Sequence, residues 1–200
     1  MNLLKPTVFV LGVLPLCYCL YQIGAISLGF NHSLGADPGK AIVKFNGEWA
    51  LRFLLLTLCL TPLREYGIRN LMPVRRMLGL FGFTYAFLHL LGYLAFLLEF
   101  RFSDLAEDIV ERPYITFGFA AFICLVPLAI TSNTWMIRCL RQYWKPLHRL
   151  VYLILILALV HFFWLTRSDY TEVAIYSLLA VLLLVIRAKN WLSKKRNRGA

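Results

Sequence analysis

Residues 147–164 read LHRLVYLILILALVHFFW, a run whose cationic and imidazole side chains stand only near its two ends, at His148, Arg149 and His161. A stretch this long and this apolar on every face is suited to span a bilayer, whose hydrocarbon core takes roughly 20 helical residues. Similar runs recur at about 8–29, 47–63, 77–100, 114–132 and 171–188, with short polar connections between them. Of the 200 residues, 60 % are hydrophobic, and mean hydropathy is +0.69, outside the range of ordinary soluble domains. The reading is an all-α polytopic membrane protein of six transmembrane helices, with residues 1–200 forming one domain. The second and sixth runs are short. Pro15, Pro62 and Pro127 fall in or near helices, where neighbouring helices can satisfy the freed carbonyls. The first run is longer than a signal-peptide core and lacks a small-x-small cleavage site, so it reads as a retained span.

A net charge of +11 raises the question of nucleic acid, but the distribution of the charge answers it. Fifteen of the 21 basic residues lie at Lys5, in the 64–76 and 138–149 connections and beyond Arg187, where Glu65 is the lone acid. The other connections hold nine of the ten acids, among them Asp104, Glu107, Asp108 and Glu111. By the positive-inside rule both termini are cytoplasmic. The basic balance therefore reports topology and a bilayer partner, with no nucleic acid. Cys17, Cys19, Cys59, Cys124 and Cys139 form no CxxC pair and read as small apolar packing residues.

Histidine at hydrocarbon depth is costly and points to function. His89 lies about 12 residues into the third run and His161 about 14 into the fifth, both of which ascend from the cytoplasmic side. At 1.5 Å per residue both stand roughly 18–21 Å above the cytoplasmic edge. Two parallel helices presenting imidazoles at one level can clamp a haem edge-on, since neutral imidazole is a usual axial ligand of haem iron. Gly82, Gly92 and Ala158 lie near the same helix faces and would leave room for a porphyrin.

His148 admits two readings. Thirteen residues from His161 is about 20 Å along a helix, a spacing suited to a second, stacked haem. Yet the two rings then point some 140° apart, and the matching level of the third run holds Arg75, Arg76 and Met77 with no imidazole. The alternative is an interfacial histidine near lipid phosphate. His32 reads as an exposed loop residue.

RRMLGLFGFTYAFLHLLGYL, ERPYITFG and above all LHRLVYLILILALVHFFW resemble the MsrQ family, as do WALRFLLLTLCLTPLR and ITSNTWMIR. Its members are haem-binding membrane subunits of a bacterial periplasmic methionine-sulfoxide reductase system, within the wider ferric-reductase-like transmembrane family. The resemblance runs from Trp49 to the C-terminus. It implies the bacterial inner membrane, haem b and FMN as cofactors, electrons drawn from the quinone pool, and a periplasmic molybdopterin-containing catalytic partner. It also implies that methionine sulfoxide is reduced in the partner, this chain being an electron-transfer subunit without catalytic residues of its own. A flavin phosphate or anionic donor would suit Arg64, Arg69, Arg75, Arg76 and Arg141, residues that positive-inside topology also explains. Arg52 can pair with a haem propionate or snorkel. Two other functions fit the composition. One is a stand-alone ferric or quinone reductase, which would need a separate donor because no nucleotide-binding segment is present. The other is a haem-free transporter or structural protein.

Overall fold

Long apolar stretches punctuated by Pro, Gly and clustered charge fold into nine α-helices among the described residues, which are 3–68 and 70–196 of a computed structural model. In chain order they are α1 (Leu4–Ser27), α2 (Pro38–Glu65), α3 (Arg75–Gly92), α4 (Phe102–Glu111), α5 (Pro113–Ile130), α6 (Thr134–Leu140), α7 (Trp144–Leu147), α8 (Leu150–Leu165) and α9 (Thr171–Arg196). No strand occurs among the described residues. Local chemistry sets several boundaries. Asp37 caps α2 by accepting a hydrogen bond from the Lys40 amide at 3.1 Å, and Pro38 and Pro113 open α2 and α5, where a missing N–H costs nothing. A π-helical turn, Tyr93–Leu97, extends α3, and the chain leaves it through Glu99 and Phe100 at φ 49° and 59°.

The expected spans shift in informative ways. The acidic connection after the third span is itself a helix, α4. The fifth is broken: α8 begins at Leu150, and the segment Thr134–Leu147 meets it at 51°. Pro146 lies beside that break, where the amides of His148 and Arg149 close turns onto Trp144 and Pro146. Among the described residues four segments are long and apolar enough to cross a membrane: Leu4–Ser27, Met72–Leu97, Pro113–Ile130 and Thr171–Asn190. The bent pair makes a fifth if it is one span. The second span, expected at 47–63, is the interior of a 28-residue helix whose Lys44, Glu48 and Arg52 lower its hydropathy.

That helix, the one long element absent from these candidate spans, is nevertheless the centre of the bundle. One side of α2 buries Leu51, Leu54, Leu55 and Leu58 against Ala121 and Leu128 of α5, Ile154 and Leu155 of α8, and Ala180 and Leu183 of α9. Its other side carries Phe53 and Leu60 into a second cluster with Val74, Leu78 and Tyr85. Tyr85, 1 % exposed, donates its hydroxyl to the Gly12 carbonyl at 2.8 Å and so ties α1 to this cluster. The outcome is two tightly packed helix pairs, α2 with α3 and α5 with α8, joined through α2.

Candidate cofactor-binding site

The two depth-matched histidines meet. The ring centroids of His89 on α3 and His161 on α8 are 6.0 Å apart with their planes at 81°. His89 Nδ1 lies 2.8 Å from the Val43 carbonyl oxygen of α2, and His161 Nδ1 lies 2.6 Å from the Tyr114 carbonyl oxygen of α5. A carbonyl can only accept, so in both rings Nδ1 carries the proton and Nε2 keeps its lone pair. That is the protonation state of a metal-ligating imidazole oriented by a backbone carbonyl.

The two halves of the site are built alike. Four residues after each accepting carbonyl stands a glycine, Gly47 after Val43 and Gly118 after Tyr114. One turn of helix therefore presents an acceptor and a gap on the same face. A Cβ at Gly47 would lie 2.8 Å from His89 Nδ1, and one at Gly118 would lie 2.8 Å from His161 Nδ1. Any side chain there would collide with the imidazole. Gly82 and Gly92 have a different role from the one expected of them. A Cβ on Gly82 would meet the α2 backbone at 3.6 Å and one on Gly92 would meet Val43 at 3.3 Å, so they allow α3 to lie close on α2 and leave no porphyrin-sized gap. Ala158 likewise packs against the α2–α5–α8–α9 core.

The spacing carries chemical meaning. An imidazole nitrogen bonds a metal at about 2.0 Å, and the ring radius adds about 1.1 Å, so two imidazoles sharing one ion have centroids up to about 6.2 Å apart. No cluster of three or more His, Cys, Asp or Glu suited to a metal occurs among the described residues. Two imidazoles are too few for a closed protein zinc site. They suit an iron that brings its four equatorial ligands in a macrocycle. Rings of Phe83 and Phe87 on α3 stack with Phe122 on α5, and Phe117 meets Trp164 edge-on at 5.3 Å, giving these helices flat apolar walls.

The remaining expected site residues lie elsewhere. His148 is held at the α8 break. Its Nε2 is 3.0 Å from Thr131 Oγ1, its ring stacks on Trp144 at 4.0 Å, and the Trp144 indole N–H donates to the Thr131 carbonyl. It does not join the His89–His161 pair. Arg75 is half-buried, within electrostatic reach of Arg64, Arg187, Tyr152 and His148. Arg64, Arg76 and Arg141 are exposed, and Arg69 lies outside the described residues. Arg52 turns toward α9, donating to Tyr176 Oη at 2.8 Å and to Glu48 at 2.9 Å. His32 is exposed in the loop before α2.

Reading the sequence missed Val43, Gly47, Tyr114 and Gly118. A backbone carbonyl has no side-chain signature, and the available signal was the glycine itself, in an apolar helix at the depth of a histidine. Arg187 was read only as part of the basic terminus. It is half-buried and donates to the Leu58 carbonyl at 2.7 Å and to Tyr152 Oη at 2.6 Å.

A family model described as "Ferric reductase like transmembrane component" matches residues 46–159, which include His89 and His148 and end two residues before His161. Several curated relatives carry the name "Protein-methionine-sulfoxide reductase heme-binding subunit MsrQ". One from Xanthomonas oryzae pv. oryzae is 43 % identical over 196 residues, covering 98 % of this chain and 90 % of the relative. Another from Polaromonas naphthalenivorans is 41 % identical over 198 residues, covering 97 % and 88 %. A third, from Xanthomonas campestris pv. campestris, is 48 % identical over 167 residues, covering 83 % and 77 %. With matches of this extent over almost the full length, the chain belongs to the MsrQ family of ferric-reductase-like transmembrane proteins.

Proposed function

We propose that the protein is a b-haem electron-transfer subunit of the bacterial inner membrane. It takes electrons from membrane quinol and passes them to a periplasmic molybdopterin-containing reductase that repairs methionine sulfoxide. One observation carries the reading: two imidazoles at metal-bridging distance, each with Nδ1–H donated to a carbonyl and each seated over a glycine. A haem held by His89 and His161 would supply a one-electron couple. The Val43 and Tyr114 carbonyls hold the Nδ1 protons and make both ligands more electron-rich, favouring the oxidised form. The aromatic and aliphatic side chains of α3, α5 and α8 keep water from the ring edges.

Six spans with both termini inside is the arrangement we infer, with α2 as the sixth. Its support is the packing of α2 among four candidate spans and the pairing of its charges within the bundle. The inward-facing basic connections support the orientation. The histidine pair then lies nearer the periplasmic end, since His161 is four residues from the end of α8 and Tyr114 is the second residue of α5. This position shortens the transfer to a periplasmic partner. An FMN phosphate is assigned to the opposite end, among Arg64, Arg75, Arg76 and Arg141, where guanidinium groups suit a phosphate fork.

The test is an absorption spectrum of the purified membrane protein. Wild type is expected to show a reducible b-type Soret band, and His89→Ala and His161→Ala are each expected to lose it. Retention of a normal haem spectrum in both variants refutes the ligand assignment.

A further inference from the structure

Beside the histidine pair, α2 carries a second set of ionisable groups that the electron-transfer reading does not use. Glu48 is shielded, its side chain 13 % exposed, and it accepts from Arg52 at 2.9 Å and from Lys44 at 3.4 Å, both on α2. Facing it from α9 are Glu172, which shares Lys44 at 3.9 Å, and Tyr176, which accepts from Arg52. The set is a graded chain. Lys44 and Glu172 are 62 % and 45 % exposed, Arg52 and Glu48 only 29 % and 13 %. Charged groups inside a span are expensive, and such chains are typical of proton routes.

The chain stands next to the redox centre. Val43 and Gly47, the two residues of α2 that contact the His89 ring, bracket Lys44 and immediately precede Glu48. Because a Cβ on Gly47 would sit 2.8 Å from His89 Nδ1, and consecutive Cα atoms are about 3.8 Å apart, the Glu48 Cα lies within about 8 Å of that ring. The four charges of the set, two cations and two carboxylates, sum to zero. An electron arriving at the centre therefore adds an uncompensated negative charge to a low-dielectric region. Arg52 cannot deprotonate and already bears its charge, so the group able to answer is a carboxylate.

We propose that Glu48 takes up one proton from the outer aqueous side when an electron enters the His89–His161 centre and returns it when the electron leaves. This rests on the haem reading above. With a haem held by His89 and His161, the electron would come from the quinol donor, one proton would pass by way of the exposed Lys44–Glu172 end, and one O–H bond would form on the Glu48 carboxylate. Reoxidation reverses each of these. For unit charges roughly 10 Å apart at an effective dielectric near 20, the coupling is about tenfold in proton affinity. Linkage makes it the same factor in the reduction equilibrium, about 59 mV for a one-electron couple.

The experiment is a redox titration of the haem-loaded protein, monitored at the Soret band and repeated across pH, for wild type, Glu48→Gln and Asp108→Asn. Wild type and Asp108→Asn should show a midpoint potential that falls by about this amount as pH rises through one window. Glu48→Gln should be flat there, with haem content unchanged. A pH-independent wild type overturns the proposal, as does a Glu48→Gln profile that keeps the wild-type slope. If Glu48→Gln fails to load haem, redox-difference infrared spectroscopy of wild type decides. A carboxylic-acid carbonyl band that appears on reduction and shifts in D2O supports the proposal, and its absence overturns it. Failure of wild type to bind haem at all is a different result, and refutes the haem reading instead.

Discussion

Replacing Gly47 or Gly118 by alanine adds one methyl group, directly against an imidazole that each glycine seats. The new Cβ would begin 2.8 Å from an imidazole nitrogen, and at Gly118 also 2.9 Å from a ring carbon. Reaching ordinary van der Waals separation requires the ring to retreat by about 0.6 Å. The accepting carbonyl is on the same helix as the glycine, so retreat from one is retreat from both. The 2.8 Å bond from His89 Nδ1 to Val43 would stretch toward about 3.4 Å, beyond useful hydrogen-bond length. The coordinating nitrogen would move by several times the roughly 0.2 Å that a metal site tolerates. Loss of such a supporting contact typically lowers metal affinity about 10–100-fold. Backbone propensity acts in the opposite direction, since alanine stabilises a helix interior by about 0.5–1 kcal/mol over glycine. A haem deficit in a well-folded Gly47→Ala or Gly118→Ala protein therefore reports the ring contact. Haem-to-protein ratio measured by titration, with circular dichroism for helix content, makes the comparison. Gly82→Ala is the control, because its Cβ would meet nothing nearer than 3.6 Å. If both variants bind haem with wild-type affinity and spectrum, the glycines do not locate the imidazoles and the reasoning fails.

His148→Ala removes a stack on Trp144 and a bond to Thr131, neither of which reaches the histidine pair. The Soret component of His89 and His161 should persist, and its loss would contradict the separation of the two sites. Arg187→Ala deletes two charge-assisted hydrogen bonds that tie α9 to Leu58 and Tyr152. It should lower stability by about 2 kcal/mol, a drop in Tm of roughly 4–8 °C, with Arg187→Lys recovering only part because an ammonium lacks the planar fork. Hydrogen bonds from Lys40, side chain first and amide second, hold the Asp37 carboxyl below its usual range. The stability this contributes is complete above the ordinary aspartate value and is lost as pH falls through the lowered one. Amide protection factors at the start of α2, corrected for the slower intrinsic exchange in acid, should thus drop only in acid for wild type and already be low at neutral pH for Asp37→Ala. Equal neutral-pH exchange in both would show that the cap contributes nothing.

Much of this was legible in the sequence alone. Apolar run length reports helices, because a bilayer demands about 20 apolar residues and leaves no other use for them. The shared depth of His89 and His161 comes from a rise of 1.5 Å per residue, a property of a single helix that needs no neighbour. The bend before α8 was less visible, since Pro146 sits in the four-residue helix α7 just before the break, and the direction of that helix depends on what Thr131 and Trp144 contact.

Azimuth and partner are different quantities from depth. Which face of α3 meets α2, and which of α8 meets α5, depends on side chains from four helices packing at once. Hence the accepting carbonyls of Val43 and Tyr114, which no residue type announces, became visible only in the assembled bundle. Glycine was ambiguous for the same reason. Gly82 and Gly92 looked like room for a cofactor and serve close helix packing, whereas Gly47 and Gly118, inconspicuous in one dimension, are where the rings rest. Arg52 reads in one dimension as a snorkelling or propionate-binding cation, and only the bundle places Tyr176, 124 positions away in the chain, beside it. Spacing along each of two separate helices supplied the histidines and their level, and the packing of α2 on α3 and α5 on α8 brought them together.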